Sequence, residues 1–191
     1  FYLLISSTRR FIKEGAEALQ LLYEDVKDRV DRGVGVVEKG TPRVLLELPS
    51  FTDPRFAYLI EKELGLSIPV CVLTWLTPRE LTKDERFTDR GEKIALGMLR
   101  RGLFHSTKGR LDYVKEIAKS WNLDGMIENF LFSCRPACLT ALMTKKYLEN
   151  ELDVPVLALE YDLYDSRDYG TEQIRTRVET FTEMLRSRKR R

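Results

Sequence analysis

The residue types able to do chemistry collect where short apolar runs end. Cys134 directly follows the run 125–132 and stands two residues before Pro136. Proline suits the first helical turn, so Cys134 is expected beside a helix N-terminus. There the helix dipole favours the thiolate, the form that binds metal or attacks an electrophile. Cys138 lies one turn further on. Its spacing with Leu139, Leu142 and Met143 places it on an expected apolar face, where it reads as a core thiol or as a second metal ligand. The Cys-x-x-x-Cys spacing by itself is a weak metal signal. Glu160 and Asp162 bracket Tyr161 after the run 154–159. Paired carboxylates in a cleft suit general acid–base work; the structural alternative is an acidic loop leading into a helix. Cys71 sits inside the run 68–74 and reads as core. The only histidine, His105, lies in the polar stretch 102–109 and reads as a loop residue. With one histidine, neither a Ser-His-Asp triad nor a His-rich metal site is expected. Phosphate-loop, dinucleotide and nucleophile-elbow glycine motifs do not occur.

These candidates need elements to hold them. Residues 9–31 read as a helix, with Ile12, Gly15, Leu19, Leu22, Val26 and Val30 at helical spacing. Further helices are expected over 53–64, 84–101, 110–121, 136–149 and 171–187. In 110–121, Val114, Ile117, Ala118 and Trp121 fall at i, i+3, i+4 and i+7. Apolar runs at 44–48, 68–74, 125–132 and 154–159 read as strands. Short strands that are apolar on both faces belong in a parallel sheet covered by helices on each side. The expected fold is a flavodoxin-like or Rossmann-like three-layer α/β domain with a four-stranded, mostly parallel sheet. It spans 1–191 as a single domain, with the leading helix 9–31 followed by βα units over 43–187. In such a sheet ligands bind beyond the carboxyl ends of the strands. The candidate segments are therefore 49–53, 75–80, 133–136 and 160–165. Arg177, at the edge of the last helix's apolar stripe, is expected to take a carboxylate partner.

Composition narrows the function classes. Apolar residues make up 43% and charged residues 32% of the 191-residue chain. That excludes a disordered tail, a fibrous repeat and a membrane bundle. No apolar run reaches the ~18 residues that a membrane-crossing helix needs. Lys plus Arg number 32 and Asp plus Glu 30, a formal charge of +2, so nothing demands nucleic acid. The basic end, 186–191, reads as a frayed, solvated helix terminus. Three cysteines, with no secretion signal, point to a reducing cytoplasm and not to a disulfide framework. The start at Phe1, inside an apolar run, is expected of a fragment or a processed piece.

The segment Leu157-Ala158-Leu159-Glu160-Tyr161-Asp162, followed by the helix Glu172-Gln173-Ile174-Arg175-Thr176-Arg177-Val178-Glu179-Thr180-Phe181-Thr182-Glu183-Met184-Leu185, resembles the ending of 2-hydroxyacyl-CoA dehydratase and benzoyl-CoA reductase subunits. The run ending in Phe132-Ser133-Cys134 resembles that family's strand before its cluster-ligating cysteine, and Val154-Pro155-Val156 resembles its last strand's start. The resemblance covers the whole chain and about half of a family member, the C-terminal of two similar α/β domains. It implies an oxygen-sensitive enzyme of anaerobes. Such a subunit holds a [4Fe–4S] cluster between two domains, accepts one electron from an ATP-dependent activator protein, and passes it to an acyl-CoA thioester, giving a ketyl radical anion. Cys134 carries over as a cluster ligand. Cys138 beside it departs from the usual context and leaves the cluster type open. Glu160 and Asp162 would supply or position protons. The remaining ligands would come from a homologous subunit or an N-terminal domain. The alternative is a non-catalytic electron-relay or scaffolding domain.

Overall fold

The computed structural model describes residues 12–47, 58–72, 89, 91–93, 95, 106–131, 133–161 and 172–189. The chain divides into two compact units, 1–41 and 42–191. The first contains α1 (Ile12–Asp31). Its exposed side carries ion pairs one turn apart, Arg29 with Asp25 at 2.9 Å and Arg32 with Asp28 at 2.7 Å. Gly33 takes φ 69°, the left-handed value that closes a helix end.

The second unit is built on four parallel strands: β1 (Arg43–Leu46), β2 (Ser67–Cys71), β3 (Gly125–Leu131) and β4 (Val156–Tyr161). Their order is β2-β1-β3-β4. A π-helical turn, Leu59–Glu63, precedes β2. Three helices follow: α2 (Thr107–Ser120), α3 (Arg135–Leu152) and α4 (Glu172–Lys189). The three-layer α/β expectation holds, and every strand pair is parallel. Among the described residues, no helix is long and apolar enough to cross a membrane.

Strand alternation splits the core into two layers. Val44, Leu46, Ile127 and Leu159 pack with Ile60 and Leu66 and with Val178, Phe181 and Leu185 of α4. Leu45, Val70, Met126 and Val156 pack on the opposite face with Val114, Ile117 and Ala118 of α2 and Leu148 of α3. The helical stripe expected over 110–121 is thus the one that docks. At Gly125 the sheet and α4 approach closely: a Cβ there would lie 3.0 Å from Phe181 Cζ and 3.1 Å from both Leu185 methyls.

Several boundaries differ from expectation for local reasons. α2 starts at Thr107 because the Ser106 side chain caps it, accepting from the Gly109 N–H at 3.3 Å. β4 starts at Val156 and not at Val154, because the Val154 N–H closes the end of α3 on the Leu148 carbonyl at 3.2 Å. It runs on to Tyr161 by pairing with Leu131, so Glu160 is a strand residue. The basic terminus is solvated as expected, exposed from Arg186 to Lys189, but it stays helical to Lys189 and makes specific contacts instead of fraying. Arg186 donates to the Leu64 carbonyl at 3.0 Å, Arg188 meets Asp153 at 2.5 Å, and Lys189 meets Asp124 at 2.9 Å. The expected helix 53–64 is described only from residue 58 onward, and most of 84–101 lies outside the described residues.

Candidate functional site

Strand order reverses between β1 and β3, since the chain passes from β1 to β2 on one side and then returns to β3 on the other. The crevice beyond the carboxyl ends of two such strands is where open α/β sheets bind ligands. A cavity of about 590 Å³ occupies that place. Its floor is Glu47, just after β1, with Glu128 and Asn129 of β3 and Arg110 from the first turn of α2. Its walls are mostly apolar, from Phe130 and Leu131 and from Pro136, Ala137 and Leu139 of α3. Cys134 and Arg135 also line it.

The register explains the floor. Leu45 pairs with Met126 and Leu46 with Ile127, so the next step sets Glu47 beside Glu128. Both carboxylates therefore fall on the α2 face, two residues beyond the core residues Leu45 and Met126. Arg110 Nη2 donates to Glu47 Oε1 and lies 3.5 Å from Glu128 Oε1. The three residues are 4%, 7% and 1% exposed, in the order Glu47, Arg110, Glu128. Glu47 Oε2, Glu128 Oε2 and Arg110 Nε have no hydrogen-bond partner among the described residues. Burial pushes both carboxyls above the usual carboxylate range; Glu47 pushes Glu128 higher, and Arg110 pulls both back. Burial works against the Arg110 charge, but the two carboxylates outweigh it.

None of the three was a sequence candidate. Glu47 and Glu128 hide inside apolar runs, and Arg110 marks only a helix start. The available signal was an acid two residues beyond a core position on each of two strands.

The sequence candidates fall in different places. Cys134 is the N-cap residue of α3 with φ −97°, on the cavity wall, as the Pro136 argument predicts. The Cys138 thiol donates to the Leu131 carbonyl at 3.3 Å, and the residue does not line the cavity. The apolar face expected around it is exposed: Leu139 is 71%, Leu142 59% and Met143 47% accessible, while α3 buries Ala141, Thr144 and Leu148 instead. Cys71 packs against the core, and burial pushes its thiol up to about 12. Glu160 is exposed on β4 opposite Phe130. Arg177 is exposed and donates to the Ala158 carbonyl at 2.6 Å, where a carboxylate partner was expected. Asp162, His105 and the segments 49–53 and 75–80 lie outside the described residues.

Comparison with known proteins decides the family. The model of the 2-hydroxyglutaryl-CoA dehydratase D-component family matches residues 1–185. The chain belongs to that family. It is also similar to an Escherichia coli (strain K12) protein named as a dehydratase subunit, YjiM, at 30% identity over 76 residues. That stretch is 40% of this chain and 19% of YjiM, so the match spans about a fifth of the relative's length.

Iron–sulfur clusters of the cubane type take four thiolates. Among the described residues, no group of three or more His, Cys, Asp or Glu is placed to hold a metal. For this D-component chain the donor set on the cavity is one thiol, Cys134. One thiolate of such a set would fit at Cys134; among the described residues the cavity offers no second thiol. The Cys138 thiol faces the Leu131 carbonyl and does not line the cavity.

Proposed function

We propose that this chain is part of a subunit of an iron–sulfur-dependent acyl-CoA dehydratase, acting on 2-hydroxyacyl-CoA thioesters. The observation that carries the reading is Cys134, in a chain of the D-component family, standing at a helix N-cap on the wall of the switch-point cavity. Cys134 would hold one corner of a [4Fe–4S] cluster as thiolate. When bound, the cluster supplies the single electron that activates the thioester. The apolar walls would exclude water from the reacting acyl group. Arg135, exposed at the cavity, would meet a phosphate of the coenzyme A moiety. Glu160 and Asp162, on and just beyond β4, remain proposed proton donors; turnover that survives replacement of both by amides contradicts that role. A homologous subunit or N-terminal domain would bring the remaining ligands and cover the exposed Leu139, Leu142 and Met143. An ATP-dependent activator protein would deliver the electron, and the cytoplasm is the compartment that suits this chemistry.

The test is turnover by the anaerobic parent assembly with its activator. Conversion of a 2-hydroxyacyl-CoA to its 2-enoyl-CoA is expected, with loss of water. Reduction of an aromatic acyl-CoA in its place points to the reductase branch. No reaction with either substrate contradicts the reading.

A further inference from the structure

The buried Glu47–Arg110–Glu128 cluster is left unexplained by cluster binding. An ion-pair network kept for structure alone is expected to saturate its buried oxygens with hydrogen bonds. Here each carboxylate keeps one oxygen, Oε2, without a partner among the described residues, and both acids line the cavity. With both acids ionised, one guanidinium would serve two carboxylates and leave an uncompensated negative charge in an apolar setting. One proton on the pair removes that charge.

From this geometry we infer that Glu47 and Glu128 share one proton across Arg110 and act as the acid–base pair for a hydroxyl-bearing substrate in the cavity. The inference rests on the dehydratase reading. The protonated carboxyl gives its proton to the C2 hydroxyl as the C2–O bond breaks, and the electron pair of that bond leaves with the oxygen as water. Both carboxylates are then ionised around Arg110. One of them takes a proton from C3, and the C3–H pair becomes the second bond of the C2=C3 double bond. The pair ends with the one proton it began with, and the acyl group has lost one water. An iron–sulfur donor, when bound, would lend the single electron and take it back, so the overall change is redox-neutral. Arg110 is a positioning residue: it fixes both acids and stays charged.

The other titratable groups nearby leave the pair in charge of this proton. Arg110 and Tyr113 face it from α2, and the Tyr113 hydroxyl is held by the Val72 carbonyl at 3.3 Å. On β2, burial and then Glu47 push the Cys71 thiol up to about 12. Cys134 and Arg135 line the same cavity from α3.

The experiment has two arms, both on the anaerobic parent assembly. In the first, infrared spectra of glutamate-labelled protein at neutral pH are compared for wild type and E128Q. A protonated-carboxyl band lost in E128Q is expected; its absence from wild type overturns the shared proton. In the second, turnover of a 2-hydroxyacyl-CoA is measured for wild type, E128Q, E47Q and E128D. A fall of about 100-fold in kcat for either amide variant is expected, as removal of a general acid–base gives. KM and iron content should hold, one limb of the pH profile should disappear, and E128D should recover part of the rate. Unchanged kcat and pH profile in the amide variants overturn the acid–base role even if the band is present. A wild type that carries the band but dehydrates no 2-hydroxyacyl-CoA overturns the dehydratase reading, and the catalytic half of this inference falls with it.

Discussion

Glu47, just past the carboxyl end of β1, stands beside Glu128 in the middle of the adjacent parallel strand β3, and the Arg110 guanidinium, 3.5 Å from Glu128 Oε1, joins them. Two acids and one base, all at least nine-tenths buried, form a polar floor under a mostly apolar cavity. The effect that dominates this floor is desolvation, which raises both acids above their ordinary value of 4.5 despite the guanidinium.

That shift has a signed consequence for stability. Where the folded state holds a proton that the unfolded state has released, stability falls as pH rises. For Glu128 the fall begins near 4.5, the unfolded value, and continues until the raised folded value is passed. Its slope is at most about 1.4 kcal/mol per pH unit. Gln at 128 has no charge to bury and mimics the protonated acid. Glu128→Gln is therefore expected to match wild type at pH 4.5 and below, and to exceed it by a margin that grows towards neutrality. Urea unfolding across that range checks this; a constant or reversed margin contradicts it.

Arg110→Met is expected to do the opposite. It leaves two buried carboxylates with no cation, the situation in which breaking a buried pair costs about 3–5 kcal/mol. Adding Glu128→Gln to Arg110→Met should return part of that loss, because one of the stranded charges is removed. Denaturant midpoints of the single and double variants read the coupling. A double variant whose change equals the sum of the two single changes at the same pH would mean that the three side chains do not act as one cluster.

Gly125→Ala tests the packing beneath the site. The new methyl group would meet Phe181 Cζ at 3.0 Å and both Leu185 methyls at 3.1 Å. Phe181 and Leu185 are themselves core residues of α4. Overpacking of this kind costs about 1–3 kcal/mol. Thermal unfolding should show a lowered midpoint; an unchanged midpoint would mean that α4 shifts away freely.

The layers of the fold are legible because apolar periodicity is a local signal. Val114, Ile117 and Ala118 announce the docking face of α2, and the apolar runs announce all four strands. The errors lie where a distant partner decides. Leu139, Leu142 and Met143 look like a core stripe, but α3 turns Ala141, Thr144 and Leu148 to the sheet. The basic end of α4 is solvated as its sequence suggests, yet it does not fray before Lys189, because Asp124 and Asp153, far away in sequence, pair with it. Cys134 could be placed from Pro136 alone. Glu47 and Glu128 could not, because their meeting depends on β1 pairing with β3 across a long crossover. No local pattern states that pairing.

The most direct test of the cluster assignment is iron and acid-labile sulfide in the anaerobically purified parent assembly, with and without Cys134→Ser. A hydroxyl is a poor substitute for a thiolate at iron. The account predicts iron and sulfide in the wild type and their loss, or conversion to a smaller cluster, in the variant. An assembly without iron, or a variant that keeps the full complement unchanged, would contradict it.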